Sequence, residues 1–105
     1  MIDGGSFTNN VTGQVDDSGA GGGFWSQGNT TIKNVDITGN TAYGEGGGFA
    51  IGGNNSIVNL ENVNITGNTS EDSGGGFRVD NGTVIATGTT VNVSNNVAGV
   101  DLDAS

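Results

Sequence analysis

The chain is 105 residues long and only 31% apolar, with 22 Gly and no Pro, Cys or His, a composition too poor in core formers for a compact globule of this length. The missing Cys and His exclude disulfides, thiol chemistry, thiolate metal sites and imidazole acid–base catalysis, so any metal would be held by oxygen ligands. Eleven acidic residues against Lys33 and Arg78 give a formal charge of -9, which argues against a nucleic-acid partner, and no apolar run approaches the length needed for membrane insertion.

From the N-terminus, Met1-Ile2-Asp3-Gly4-Gly5 has neither the charged nor the apolar region of an export signal. Phe7-Thr8-Asn9-Asn10 then opens a signal that recurs as Ile37-Thr38-Gly39-Asn40, Ile65-Thr66-Gly67-Asn68 and Val93-Ser94-Asn95-Asn96, with starts 30, 28 and 28 residues apart. A glycine run closed by an apolar residue follows each copy: Gly21-Gly22-Gly23-Phe24, Gly46-Gly47-Gly48-Phe49, Gly74-Gly75-Gly76-Phe77 and the degenerate Gly99-Val100-Asp101-Leu102. Self-similarity of this period marks a repeat architecture, with repeats at 7–36, 37–64, 65–92 and 93–105. Asp3 to Gly19 reads as only part of a repeat and Gly99 to Ser105 as the start of another. That predicts a single module, either a piece of a longer solenoid or a unit that stacks head to tail on its own copies.

Between the signals, Val35-Asp36-Ile37, Val63-Asn64-Ile65 and Val91-Asn92-Val93 alternate apolar and polar residues as half-buried strands do. A second short strand is predicted through Ser56 to Leu60 and Thr83 to Thr87, and a third through Phe24, Phe49 and Phe77. Three short strands per rung, separated by Gly and Asn bends, predict an all-β fold. Its form is a right-handed parallel β-helix, a β-solenoid of about three complete rungs plus partial ends. Stacking by the repeat then predicts columns of like residues at the inter-strand spacing of about 4.8 Å. Phe24, Phe49, Phe77 and Leu102 should form an interior stack, with Val35, Val63 and Val91 in another and Ile37, Ile65 and Val93 beside it. Asn10, Asn40, Asn68 and Asn96 should form an amide ladder. The glycine runs lack the strand–loop–helix setting and the Lys-Ser/Thr of a phosphate cradle, so they read as tight corners.

The alternation of Gly-Gly-apolar with Phe-x-x-Asn resembles the repeats of chlamydial-type polymorphic outer-membrane proteins and related β-helical autotransporter passengers. Phe7 to Asn10 matches the second motif literally, and later copies replace Phe with Ile or Val. Gly47-Gly48-Phe49 and its equivalents match the first. The resemblance spans essentially the whole chain. It implies a secreted or surface-displayed passenger engaged in adhesion, and a host surface or glycan is the partner to be expected of such a module.

Candidate chemistry gathers in the loops. Asp16, Asp17, Glu45, Glu71 and Asp72 fall between an Asn signal and a glycine run and Asp101 lies within the degenerate fourth run, so rungs would stack them along one edge where Ca²⁺ could bind. Solubilising loop charges are the plainer reading, because no Asp-x-Asp-x-Asp loop or Gly-Gly-x-Gly-x-Asp nonapeptide occurs, and no cofactor is required. Lys33 lies one repeat before Glu61 and should pair with it across rungs. Arg78 follows Phe77 as Trp25 follows Phe24, so both should point outward in one column with Ala50 between them and Asp103 above. Trp25, Tyr43 and Arg78 are therefore the candidate contacts for a sugar. An enzyme is not expected: Lys33 is committed to Glu61, and Arg78 should lie on a different face from the acidic column. Ice binding would need an array of hydroxyls, and only Thr38 and Thr66 share a column, with Ser94 above and Thr8 below. The sequons at Asn10, Asn29, Asn54, Asn64, Asn68, Asn81 and Asn92 follow from Asn and Thr richness, with Asn68 expected inside. The chain thus reads as a non-enzymatic structural or interaction module, of the adhesin, stalk or fibre kind. A Ca²⁺-dependent or carbohydrate-binding module is the alternative, and an ice-binding protein or degenerate polysaccharide-active enzyme comes third.

Overall fold

A computed structural model describes residues 1–13, 19–53, 55–71, 74–79, 82–87 and 91–97. It is all-β, with parallel pairing between every two neighbouring strands. The first layer of chain supplies β1 (Ile2–Asp3), β2 (Ser6–Thr8), β3 (Val11–Thr12) and β4 (Phe24–Gln27). The second supplies β5 (Thr30–Thr38), β6 (Thr41–Ala42) and β7 (Phe49–Gly52), and the third β8 (Ile57–Thr66), β9 (Thr69–Ser70) and β10 (Phe77–Val79). A fourth begins with β11 (Thr83–Thr87) and β12 (Asn92–Ser94). Each strand pairs with its counterpart in the next layer, giving a six-stranded sheet around β5 and β8, a second sheet β4-β7-β10 and a third β3-β6-β9.

Two strands expected to be separate are one. Thr30, Ile32, Val35 and Ile37 all face inward along β5, and the change from even to odd numbering requires an extra residue between Ile32 and Val35. Asn34 absorbs it with φ 55°, and Asn62 does the same in β8 with φ 53°. Asn tolerates this left-handed conformation better than other residues with a Cβ, so each long strand bends without breaking. The third sheet, only two residues wide, was not expected from the sequence. Ile2 and Asp3 pair with Ile32 and Lys33, ahead of Phe7, where the first repeat was expected to open.

The core is a set of columns. Ile32 aligns with Leu60, Val35 with Val63, and Ile37 with Ile65, all at most 2% exposed. Burial of each such side chain contributes roughly 1.5–3 kcal/mol. The Phe24 and Phe49 rings are parallel within 3° at 5.1 Å, and those of Phe49 and Phe77 within 4° at 5.0 Å. Phe7 closes the lower end, tilted 45° against Phe24 at 4.9 Å. Leu102 lies outside the described residues. Val93 continues the Ile37–Ile65 column but is 49% exposed, and Val91 packs against the core without strand pairing to Val63.

The glycine runs are where layers come closest. A Cβ on Gly47 would strike the carbonyl oxygen of Gly75, and one on Gly22 that of Gly47. The closing glycine signal therefore records backbone-to-backbone packing.

Candidate functional site

The Asn ladder runs through all four layers. Asn40 Oδ1 accepts both the backbone N–H and the Nδ2 of Asn10, each at 3.0 Å. Asn68 Oδ1 does the same for Asn40, and Asn96 Oδ1 for Asn68, all at 2.9 Å. The remaining amide hydrogens go to main-chain carbonyls: Asn40 Nδ2 to Phe7, Asn68 Nδ2 to Ile37 and Asn96 Nδ2 to Ile65. Asn40 and Asn68 are fully buried, which is affordable only because every polar hydrogen is used. The residue before each ladder Asn is left-handed, as Gly39 and Gly67 in the middle layers and Asn9 and Asn95 in the outer ones.

Shorter ladders that sequence reasoning missed run along the outside. Asn34 Nδ2 donates to Asp3 Oδ1 at 3.0 Å, and Asn62 Nδ2 to Asn34 Oδ1 at 2.7 Å. Asn64 Nδ2 donates to Asp36 Oδ1 at 2.8 Å, and Asn29 Oδ1 accepts the Ile57 N–H. The 28-residue offset that identified the inner ladder also joins Asn34 to Asn62 and Asp36 to Asn64. Four sequon asparagines, Asn10, Asn29, Asn64 and Asn68, have hydrogen-bonded side chains; Asn54 and Asn81 lie outside the described residues.

Of the six acids proposed for a Ca²⁺ edge, Asp16, Asp17, Asp72 and Asp101 lie outside the described residues. Glu45 and Glu71 are described, and their environments differ. Glu71 follows β9, its N–H bonded to the Ala42 carbonyl. Glu45 sits beside the second sheet, its Oε1 3.0 Å from Arg78 Nη1. Among the described residues no three acidic side chains gather as a metal would need. The pair also corrects the placing of Arg78 on a face apart from the acids. The backbone turns back between Gly46 and Phe49, bringing Gly46 against Ala50, and Glu45 thereby reaches the column that Arg78 occupies one layer up.

Trp25, Ala50 and Arg78 do share one outward column of the second sheet, and Trp25 is 55% exposed. Asp103 lies outside the described residues. Tyr43 is half-buried and follows β6, its N–H bonded to the Thr12 carbonyl, so it belongs to the third sheet and Trp25 to the second. Lys33 lies opposite Glu61 with Nζ–Oε2 3.8 Å, and opposite Asp3 on its other side. Both partners of that pair are well exposed, so it contributes only a few tenths of a kcal/mol.

Thr8, Thr38, Thr66 and Ser94 align as expected, yet they are not the only aligned hydroxyls. Thr41 and Thr69 form a second column flanked by Val11 and Val97. The two columns belong to different sheets, on either side of the Asn-ladder corner, and so do not make one flat platform. One buried polar atom stands out. Ser70 Oγ is inside and has no hydrogen-bond partner among the described residues, whereas Thr12, in the same column, donates its hydroxyl to the Gly21 carbonyl at 2.7 Å.

Comparison with protein-family models, with curated proteins and with solved structures finds no significant match.

Proposed function

We propose that the chain is a right-handed parallel β-helix module with a mechanical and displaying role, a rigid segment of an extracellular or surface-exposed adhesin, stalk or fibre. The observation that carries this reading is the Asn ladder, in which each layer's amide and main-chain donors are consumed by the layer next to it. Such a stack is stable through nearest-neighbour contacts and lengthens by repetition. Parallel crossovers in one sheet are right-handed in about 98% of cases, which supports the assigned hand. The resemblance to polymorphic outer-membrane and autotransporter repeats supports the surface location. A non-enzymatic role is supported by the engagement of both cationic side chains, Lys33 with Glu61 and Arg78 with Glu45.

The test is to place the chain between two fluorophore-labelled domains and insert further copies of residues 30–57. Each copy is expected to lengthen the separation by about 4.8 Å while the distance distribution stays narrow. A distribution that broadens with each insertion sinks the spacer reading, and release of reducing ends from a polysaccharide panel sinks the non-enzymatic one. Electron microscopy at high concentration checks head-to-tail association: uniform filaments are expected if copies stack.

A further inference from the structure

The outer face of the second sheet combines the chain's single Trp, a strip of very small residues and a charged pair. Trp25 stands 55% exposed while Ala50, its partner in the column, is 5% exposed. A Cβ built on Gly52, two residues along β7 on the same face, would lie 3.3 Å from Trp25 Cζ2. The benzenoid side of the indole therefore leans over the Gly52 backbone while much of the ring remains in solvent. Gln27, the next outward residue of β4, is exposed and stands beside Gly53, with its Cγ 3.4 Å from where a Cβ there would be. Two strands from Trp25 in the same column, roughly 10 Å away by strand spacing, Arg78 holds Glu45 at 3.0 Å with both side chains about one-third exposed.

The geometry points to a carbohydrate-binding face on the second sheet, at which Trp25 stacks on a pyranose ring and the Arg78–Glu45 pair, with Gln27, binds its hydroxyls. A pyranose in the chair form has an apolar C–H face and a polar rim, and indole presents a matching apolar, electron-rich surface. Glu45 accepts hydroxyl hydrogens, Arg78 donates to hydroxyl oxygens, and the two fix each other's orientation before ligand arrives. Ala50 is buried with the Gly46 turn against it and Gly52 lies beside the indole, so the sugar meets the exposed part of Trp25, and an equatorially linked oligosaccharide spans the roughly 10 Å to the Arg78–Glu45 pair. A net charge of -9 selects neutral sugars over uronic acid polymers. This face adds a ligand to the spacer reading without depending on it, since the sheet can bind sugar whether or not the stack serves as a stalk.

With one Trp in the chain, intrinsic fluorescence reports on the face directly. The 105-residue chain is titrated with cellohexaose, chitohexaose and trigalacturonate, with Trp25 emission followed in each case. A saturable emission shift is expected with a neutral oligosaccharide, weakened roughly tenfold or more in Arg78→Ala and in Glu45→Gln, and unchanged in Thr31→Ala on the first sheet. Far-UV circular dichroism checks that each variant is folded, and if Arg78→Ala is not, Glu45→Gln carries the same expectation alone. Three results overturn the assignment: no shift with either neutral oligosaccharide at about 10 mM, a shift that both variants leave intact, or a preference for trigalacturonate.

Discussion

The two middle layers and the two outer ones are built from the same motif, yet the same residue has a different worth in each. Asn40 and Asn68 have both neighbours and are wholly buried, whereas Asn10 is exposed and Asn96 only half-buried. Ile37 and Ile65 are fully buried, while Val93 in the same column is 49% exposed. A side chain here is stabilised from above and below, so its contribution scales with how many layers cover it.

The most forceful way to break that comparison is Phe49→Ala, which empties the centre of the ring stack between Phe24 and Phe77. It is expected to cost about 3–5 kcal/mol, a large share of the roughly 5–15 kcal/mol that holds a domain together. A urea midpoint lying close to that of the unsubstituted chain contradicts it. Asn68→Ala comes next, because it removes the acceptor of the buried Asn40 N–H and of one Asn40 Nδ2 hydrogen, and with them the amide donor to the Ile37 carbonyl. About 3 kcal/mol is expected, against less than about 1 kcal/mol for the exposed Asn10→Ala. Equal losses from chemical denaturation of the two variants remove the distinction between middle and outer layers.

Smaller effects sharpen it. Ser70→Ala should be neutral or stabilise by up to about 1 kcal/mol, since it removes a buried hydroxyl without a partner and restores the residue that Ala42 supplies one layer below. A clear fall in the thermal midpoint identifies a partner for that hydroxyl. Gly67→Asn should change stability by less than about 0.5 kcal/mol. Asn9 and Asn95 already hold the equivalent left-handed position, and Gly67 has open space around its Cα. A loss above about 1 kcal/mol means the middle layers need glycine for a reason other than φ.

The inner columns were legible because they obey the repeat period and nothing else competes for those positions. Phe24, Phe49 and Phe77 and the four ladder asparagines are found by counting residues. Asn34 and Asn62 were read past, because an Asn between two alternating segments signals a turn, and only the change of inward phase from Ile32 to Val35 shows that the strand continues. The Arg78–Glu45 pair was hidden for the opposite reason. Its partners are not one repeat apart, and their meeting depends on how the Gly46 turn folds back onto Ala50. The Thr41–Thr69 column was overlooked because its strands are two residues long and carry no alternation to recognise.

The Asn ladder also has a sense. In each amide-to-amide step the backbone N–H and one Nδ2 hydrogen of a ladder Asn point to the next layer and the accepting Oδ1 points back, while the second Nδ2 hydrogen of Asn40, Asn68 and Asn96 turns to a main-chain carbonyl of the layer before. Aligned amides add as vectors, as peptide dipoles do in a helix, so the column has a donor-directed terminus and an acceptor-directed terminus that are chemically unlike. A two-fold axis across the stack would set like against like. Only translation along the column brings unlike termini together, which makes any end-to-end contact heterologous and any assembly grown from it open and directional.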